Sequence, residues 1–342
     1  MVSIPLQTEI PLFPNLPVTL GSPMTPHFAE GVTDISNLLP CLLRGLINQF
    51  PDSIPVPNSD TQRIDPIVEE LIWDKVSKWD MGLPSHIYTK PIIAGHDIAA
   101  IAYRHVSPEL QAEIALFTGL GILIDDEIIG TPAVREFIPR FCTSSCQLHP
   151  SLDRFAETVH GIRKHFAEYG ANAILSSTID YVNSELFQKG AKDMSLSRGS
   201  IPFTKYIRGK DGYCEAFAAF VWPKDDFPDP VEFIQAFPDT MEFLALVNDI
   251  FSYYKEMKAG EAGTFISKFA LANGTLEGDA IRDLIDYVIV ITRRVREILG
   301  DGKAREAWES MAAGYIRFHL LAERYKLVEI LPDIVSPHDV AI

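Results

Sequence analysis

Three side chains in Asn248-Asp249-Ile250-Phe251-Ser252-Tyr253-Tyr254-Lys255-Glu256 have the types and the spacing to hold a hard metal ion. Asn248, Ser252 and Glu256 recur at i, i+4 and i+8. In a helix, about 100° per residue places them near 0°, 40° and 80°, on one face, with about 6 Å of rise between neighbours. An amide oxygen, a hydroxyl and a carboxylate make an oxygen-only donor set. Mg²⁺ takes such a set, whereas zinc and copper favour nitrogen and sulfur. The residues just before, Phe243–Val247, are apolar, so the donors project from a helix otherwise suited to a core. By periodicity alone the competing reading is an ordinary polar helix face.

A second stretch, Leu123-Ile124-Asp125-Asp126-Glu127, sets three acids directly after the apolar run Ile114–Ile124. Like charges side by side repel, and negative charge at a helix C-terminus is unfavourable. A divalent cation is the simplest compensation, and an exposed acidic turn is the alternative. Elsewhere the chemistry-bearing residues are sparse. Cys142 and Cys146 have i, i+4 spacing and could share a helix face, but no second Cys/His pair completes a zinc set. His96-Asp97 is a lone dyad with no matching partner among the other histidines, which leaves a metallohydrolase reading without support.

The elements that must position these groups read as helices. Apolar residues recur at helical spacing in Ile67–Trp79, Ala94–His105, Pro108–Ile128, Ala133–Cys146, Ser151–Tyr169, Ala171–Gln188 and Cys214–Phe220. The pattern continues through Pro230–Lys258, Phe265–Asn273, Leu276–Leu299 and Lys303–Leu331. Strand-like alternation is absent. Ten of the 24 prolines fall within residues 1–60, which predicts an extended N-terminal arm with one helix near Ile35–Phe50. Residues 61–331 then read as one all-α domain, a closed bundle of ten or more helices, and 332–342 as a loose tail.

Composition narrows the partners. The 342 residues carry 30 Lys+Arg against 46 Asp+Glu, a net charge of −16. So acidic a chain repels nucleic acid and anionic lipid. An anionic small ligand requires a local reversal of that field. No apolar run reaches the roughly 18 residues of a membrane span, and the first basic residue is Arg44, so the start lacks a signal peptide's charge pattern. A cytoplasmic protein is the expectation.

Taken together, these motifs resemble those of class I terpene cyclases, and most closely the fungal trichodiene synthase family of sesquiterpene synthases. Asn248, Ser252 and Glu256 match that class's Asn/Ser/Glu metal motif, and Asp125-Asp126 is similar to the start of its aspartate-rich motif. Arg324-Tyr325 resembles the family's Arg-Tyr pair near the C-terminus. Arg208, 40 residues before Asn248, corresponds to a pyrophosphate-sensing arginine, and Lys255 to a pyrophosphate-binding lysine. These islands occur in the family's order. One departure is that Ile128 and Ile129 stand where the family usually has a further acid.

The resemblance implies the class I terpenoid synthase bundle around an apolar cavity, a prenyl diphosphate substrate, farnesyl diphosphate first, and three Mg²⁺ ions. Asp125, Asn248, Ser252 and Glu256 would hold the metals. Asp126 would be either a further ligand or the partner of Arg324, with Glu127 an outside candidate. Arg208, Lys255, Arg324 and Tyr325 would bind diphosphate, and with Asp125 form the catalytic set. The product would be a cyclic sesquiterpene, hydrocarbon or alcohol, and the assembly a homodimer. Stabilising a carbocation calls for aromatic walls, with Phe117, Tyr213, Phe217, Trp308 and Tyr315 as candidates. Ala259–Gly263 reads either as a flap over the diphosphate or as a plain loop. Rival readings are a prenyl chain-elongating synthase, which would carry a second aspartate-rich motif at Asn248–Glu256, and a non-catalytic isoprenoid-binding protein.

Overall fold

The computed structural model describes residues 35–54, 65–191 and 194–335. Most of the proline-rich arm and the end of the tail lie outside the described residues. Within them the protein is all-α, with thirteen α-helices and no strand. In chain order they are α1 (Ile35–Ile47), α2 (Pro66–Ser77), α3 (Ser85–Ala102), α4 (Pro108–Asp125), α5 (Thr131–Cys142), α6 (Pro150–Ile162) and α7 (Glu168–Gly190). There follow α8 (Ile201–Asp211), α9 (Cys214–Ala219), α10 (Phe237–Ala259), α11 (Phe265–Asn273), α12 (Glu277–Leu299) and α13 (Lys303–Leu321). No helix among the described residues is long and apolar enough to cross a membrane.

Local chemistry explains the starts and stops. Ser107 caps α4, accepting from the Leu110 N–H at 3.3 Å, and Pro108 enters the first turn. The metal-motif helix α10 ends one turn beyond Glu256. Gly260 adopts φ +67°, with the Glu261 N–H donating to the Glu256 carbonyl at 3.0 Å and the Gly260 N–H to Met257 at 3.1 Å. This pairing uses glycine's tolerance of the left-handed region to satisfy carbonyls at the helix end.

Several expected spans are shorter than their periodicity. Ser151–Tyr169 is two helices, because α6 stops at Ile162 and α7 begins at Glu168. Pro230–Lys258 opens with two short 3₁₀ turns before α10. Lys303–Leu331 ends as a helix at Leu321, and two 3₁₀ turns around Lys326, φ +57°, carry Arg324-Tyr325 away from the α13 axis. The shared-face reading of Cys142 and Cys146 is corrected, since α5 ends at Cys142 and both thiols are free and exposed. Helix α8 escaped periodicity because its only fully buried residue is Thr204, which leaves no apolar stripe to detect.

Close backbone approach sets the frame. A Cβ on Gly95 of α3 would lie 2.2 Å from the Ala115 carbonyl oxygen of α4, and one on Gly314 of α13 would lie 2.3 Å from that of Ile101. Any side chain there would force α3 away from both neighbours, so glycine permits α4 and α13 to flank it. A buried carboxylate fastens the outer side of α4. Glu113 accepts from Lys75 of α2 at 3.2 Å and from Lys164 at 2.9 Å, with His165 Nε2 3.9 Å away.

Burial opposes the Glu113 charge, but His165, Lys164 and Lys75 outweigh it and hold the carboxyl down at about 2. A depressed value means the stabilisation is complete above the ordinary value near 4.5 and is lost as pH falls toward 2. Glu113→Gln is therefore expected to cost about 2 kcal/mol at pH 7, with the gap from wild type narrowing at pH 3. Urea unfolding at the two pH values checks this, and an equal gap at both would contradict it.

Candidate active site

One cavity of about 980 Å³ opens among α3, α4, α7, α8, α9, α10, α11 and α13. Five of the sequence-predicted residues line it: Asp125, Arg208, Asn248, Arg324 and Tyr325. Ser252, Lys255 and Glu256, further along α10, do not line it, and the buried Ser252 hydroxyl donates to the Asp249 carbonyl at 3.4 Å; Ala262 and Gly263 do line it. The Ala259–Gly263 segment, read from sequence as either a flap or a plain loop, thus borders the cavity through its last two residues. The inner wall is largely apolar and aromatic, with Ile98, Tyr181, Tyr213, Phe217, Leu244, Tyr315 and Phe318.

Two of the candidate wall aromatics do not line the cavity. Phe117 is fully buried behind it, edge-on to Tyr213 at 5.0 Å and Phe220 at 5.4 Å. Trp308 packs on Phe243 at 5.4 Å and Phe50 at 6.0 Å, on another side of α10. Helical spacing identifies an inward face but not whether another layer of side chains intervenes. Tyr181, stacked on Tyr213 at 3.6 Å with its hydroxyl donating to the Gly121 carbonyl at 3.1 Å, is a wall residue that spacing did not single out.

The α10 donor face is flanked by cations on both sides. With Asn248 as zero, Asp249 lies at about 100° and Lys255 at about −20°. On the Asp249 side, Arg208 Nε donates to Asp249 Oδ2 at 2.8 Å and Oδ1 at 3.0 Å, and Nη1 to Asp211 Oδ1 at 2.9 Å. Its Nη2 donates to the Ala245 carbonyl at 3.2 Å and reaches Asn248 Oδ1 at 3.5 Å. Burial works against the Arg208 charge, but Asp249 and then Asp211 outweigh it, so the guanidinium stays well above its ordinary value.

On the other side, Lys255 Nζ lies 4.0 Å from Glu256 Oε1 and 5.5 Å above the Tyr325 ring, which Arg324 also faces at 5.4 Å. The segment bearing Arg324-Tyr325 is fastened to α10 through Glu329, which accepts from the Tyr254 hydroxyl at 2.7 Å and from Lys258 at 2.5 Å. Arg324 and Lys255 come together here although they are 69 positions apart in the chain.

Asp125 closes α4 at the cavity wall. Its side chain is exposed to the cavity mouth, yet crowding by the surrounding walls, then Asp126 and Asp211, push its carboxyl up, with Arg324 and Lys189 pulling the other way. The expected compensation at this helix end comes partly from Lys189, whose ammonium donates to the Ile124 carbonyl at 3.1 Å. Asp126 caps α4, is exposed, and has no ion pair with Arg324 among the described residues. Glu127 follows with φ +55°. Neither Asp126 nor Glu127 lines the cavity.

Sequence reasoning passed over several groups that the fold brings here. Asp211 and Asp249 hold Arg208; the Arg208-x-x-Asp211 spacing on one helix was the available signal. Glu185 lines the cavity, and burial, then Asp125, push its carboxyl up to about 8 against the pull of Lys189. His319 is fully buried, and burial drives its imidazole down to about 3, the Tyr315 carbonyl opposing.

Asp125 and Asn248 bring a carboxylate and an amide oxygen to the cavity, and Ser252 and Glu256 add a hydroxyl and a carboxylate further along α10, outside its lining; oxygen donors of this kind fit Mg²⁺ rather than a softer metal. Among the described residues no three His, Cys, Asp or Glu side chains already converge as a metal cage. The protein oxygens are instead divided between the end of α4 and the face of α10, an incomplete set that oxygens of a bound anion would complete.

The trichodiene synthase family model matches residues 92–337. Monoterpene synthase 25 of Postia placenta is 35% identical over 294 residues, covering 85% of this chain and 87% of that protein. Longiborneol synthase CLM1 of Gibberella zeae is 32% identical over 266 residues, 75% of this chain and 78% of its own length. Among solved structures, the linalool/nerolidol synthase of Streptomyces clavuligerus superposes with a TM-score of 0.56 at 13% identity, covering 78% of this chain and 98% of that one.

Removing one partner of a buried ion pair leaves the other charge unpaired, at a cost of about 3 kcal/mol. Arg208→Ala and Asp249→Asn should each lower stability by about that much, and the double variant by at least about 1 kcal/mol less than their sum. Urea midpoints of the four proteins check this; additive losses would contradict a coupled pair.

Proposed function

The chain belongs to the trichodiene synthase family of terpene cyclases, and on that footing we propose that it ionises farnesyl diphosphate and cyclises the resulting carbocation to a sesquiterpene. The observation that supports this most is one cavity wall carrying oxygen donors at Asn248 with cations on both flanks, continuous with an apolar, aromatic interior. A diphosphate head and a prenyl tail need those two environments side by side.

Asp125 on one side and Asn248, Ser252 and Glu256 on the other would hold the Mg²⁺ ions. When bound, Mg²⁺ supplies Lewis-acid stabilisation of the departing diphosphate. Arg208, Lys255 and Arg324 add charge-assisted hydrogen bonds to its oxygens, and the arginines offer forked donors. Arg208 must exchange part of its hold on Asp249 and Asp211 to do so, so the same guanidinium can report to α8 and α10 that the anion is present. Tyr325 donates a hydroxyl from the same side.

After ionisation the chain's task is to fold the cation and keep water out. Tyr213, Phe217, Tyr315 and Phe318 present ring faces and edges to that space, and ring quadrupoles favour positive charge. Asp126 remains either an outer metal ligand or a partner for Arg324 once the cavity closes. The name of the Postia placenta relative makes geranyl diphosphate the second substrate to try. Chain elongation is disfavoured by the amide and hydroxyl of Asn248 and Ser252, where an elongating enzyme would place a second run of aspartates. A non-catalytic isoprenoid-binding protein would accept the same ligands without turnover.

Incubation with farnesyl diphosphate and Mg²⁺, followed by mass spectrometry and NMR, is expected to give a cyclic sesquiterpene and free diphosphate. Linear products lengthened by isopentenyl diphosphate, or no turnover, would contradict the proposal. Glu256→Gln and Asn248→Leu should each lower turnover at least about 100-fold while circular dichroism shows unchanged helicity. Wild-type turnover in either would remove the metal assignment.

A further inference from the structure

His319 lies in α13, outside the matched motif positions, and touches the first residue of the α10 donor face. Its Nδ1 is 2.7 Å from the carbonyl oxygen of Tyr315, one turn back, and its Nε2 is 3.3 Å from Asn248 Nδ2. A carbonyl oxygen can only accept, so Nδ1 must carry the hydrogen. The neutral ring then has a bare lone pair at Nε2, and the Asn248 amide must turn its NH₂ toward it. Asn248 Oδ1 is thereby aimed the other way, 3.5 Å from Arg208 Nη2, which is a donor. A flipped amide would set oxygen against the lone pair and NH₂ against a guanidinium, unfavourable at both ends.

The ring has little freedom to choose otherwise. Tyr315 and Tyr325 each lie 4.6 Å from it, Phe318 at 5.3 Å and Phe251 at 5.6 Å. Among the described residues Asn248 is the one side chain hydrogen-bonded to Nε2. We propose that His319 is a positioning residue that fixes the Asn248 amide so that its oxygen, not its nitrogen, faces the metal site. The chain of cause runs from the Tyr315 carbonyl through the His319 tautomer to the Asn248 rotamer. An unoriented asparagine would spend part of its time presenting NH₂, which no cation accepts. This inference rests on Asn248 being a Mg²⁺ ligand, as proposed above.

The test reads binding of inorganic pyrophosphate in the presence of Mg²⁺ by titration calorimetry, without turnover. His319→Leu and His319→Phe, which lack the acceptor, should weaken binding about tenfold or more, the range seen when a residue supporting a metal ligand is removed. His319→Gln, whose amide oxygen can replace Nε2, should stay within about threefold of wild type. In an Asn248→Ala background, His319→Leu should add little further loss, because the group it orients is gone. Equal losses for Leu, Phe and Gln, or the same loss in both backgrounds, would make His319 merely structural and overturn the inference. Wild-type binding by Asn248→Ala alone would instead remove the metal role of Asn248. A measurement on the wild-type protein needs no variant to fold. ¹⁵N NMR of histidine-labelled protein should show His319 protonated at Nδ1 and bare at Nε2, and the opposite tautomer would overturn the inference.

Discussion

Negative charge is the constraint around which this cavity is built. A chain with a formal charge of −16 must accept a ligand that is itself an anion, next to Asp125, Glu185, Asp211 and Asp249. Repulsion between like charges a few ångströms apart in a partly buried site is worth several kcal/mol. The arrangement answers this in two ways. Guanidinium and ammonium groups are set on both flanks of the α10 face, and on the proposed function divalent cations held by its oxygen donors neutralise protein and ligand together.

On the proposed function, that requirement gives a reason for the way the bundle is knitted. Arg208 has to be buried beside Asn248, and a buried guanidinium survives only with carboxylates, which Asp249 and Asp211 provide from two different helices. Lys255 and Arg324 have to meet across a long stretch of chain, and the two 3₁₀ turns after α13, clamped by Glu329, bring them together. Asp125 has to stand at the C-terminal end of a helix, an unfavourable place for an acid, and Lys189 relieves the last carbonyls there. The glycine crossings at α3 keep α4 and α13 close enough for their ends to share one cavity.

Much of this was legible in the residues alone. The all-α class followed from periodicity, and the shared helix of Asn248, Ser252 and Glu256 from their i, i+4, i+8 spacing, because both depend on local geometry. What spacing could not show was partnership across helices. Asp249 looked like an anonymous member of the motif until α8 placed Arg208 against it. His319 stood in plain view five residues before Arg324 but acquires meaning only where α13 crosses α10. Phe117 and Trp308 were candidates for the wall because they lie on the right helices, and the fold puts other side chains in front of them. Helix α8 itself was invisible because most of its residues are only half-buried and form no apolar stripe, while Arg208 with Asp249 and Lys210 with Asp180 tie it to its neighbours.

On the proposed function, oxygens from α4 and from α10 hold separate members of one set of magnesium ions around a single diphosphate. A crystal structure grown with Mg²⁺ and inorganic pyrophosphate tests it most directly. The expected structure has metal ions coordinated by Asp125 on one side and by Asn248, Ser252 and Glu256 on the other, with pyrophosphate oxygens between them. Pyrophosphate bound with the Asp125 and Glu256 carboxylates turned apart, and no ion joining either to it, would contradict the account.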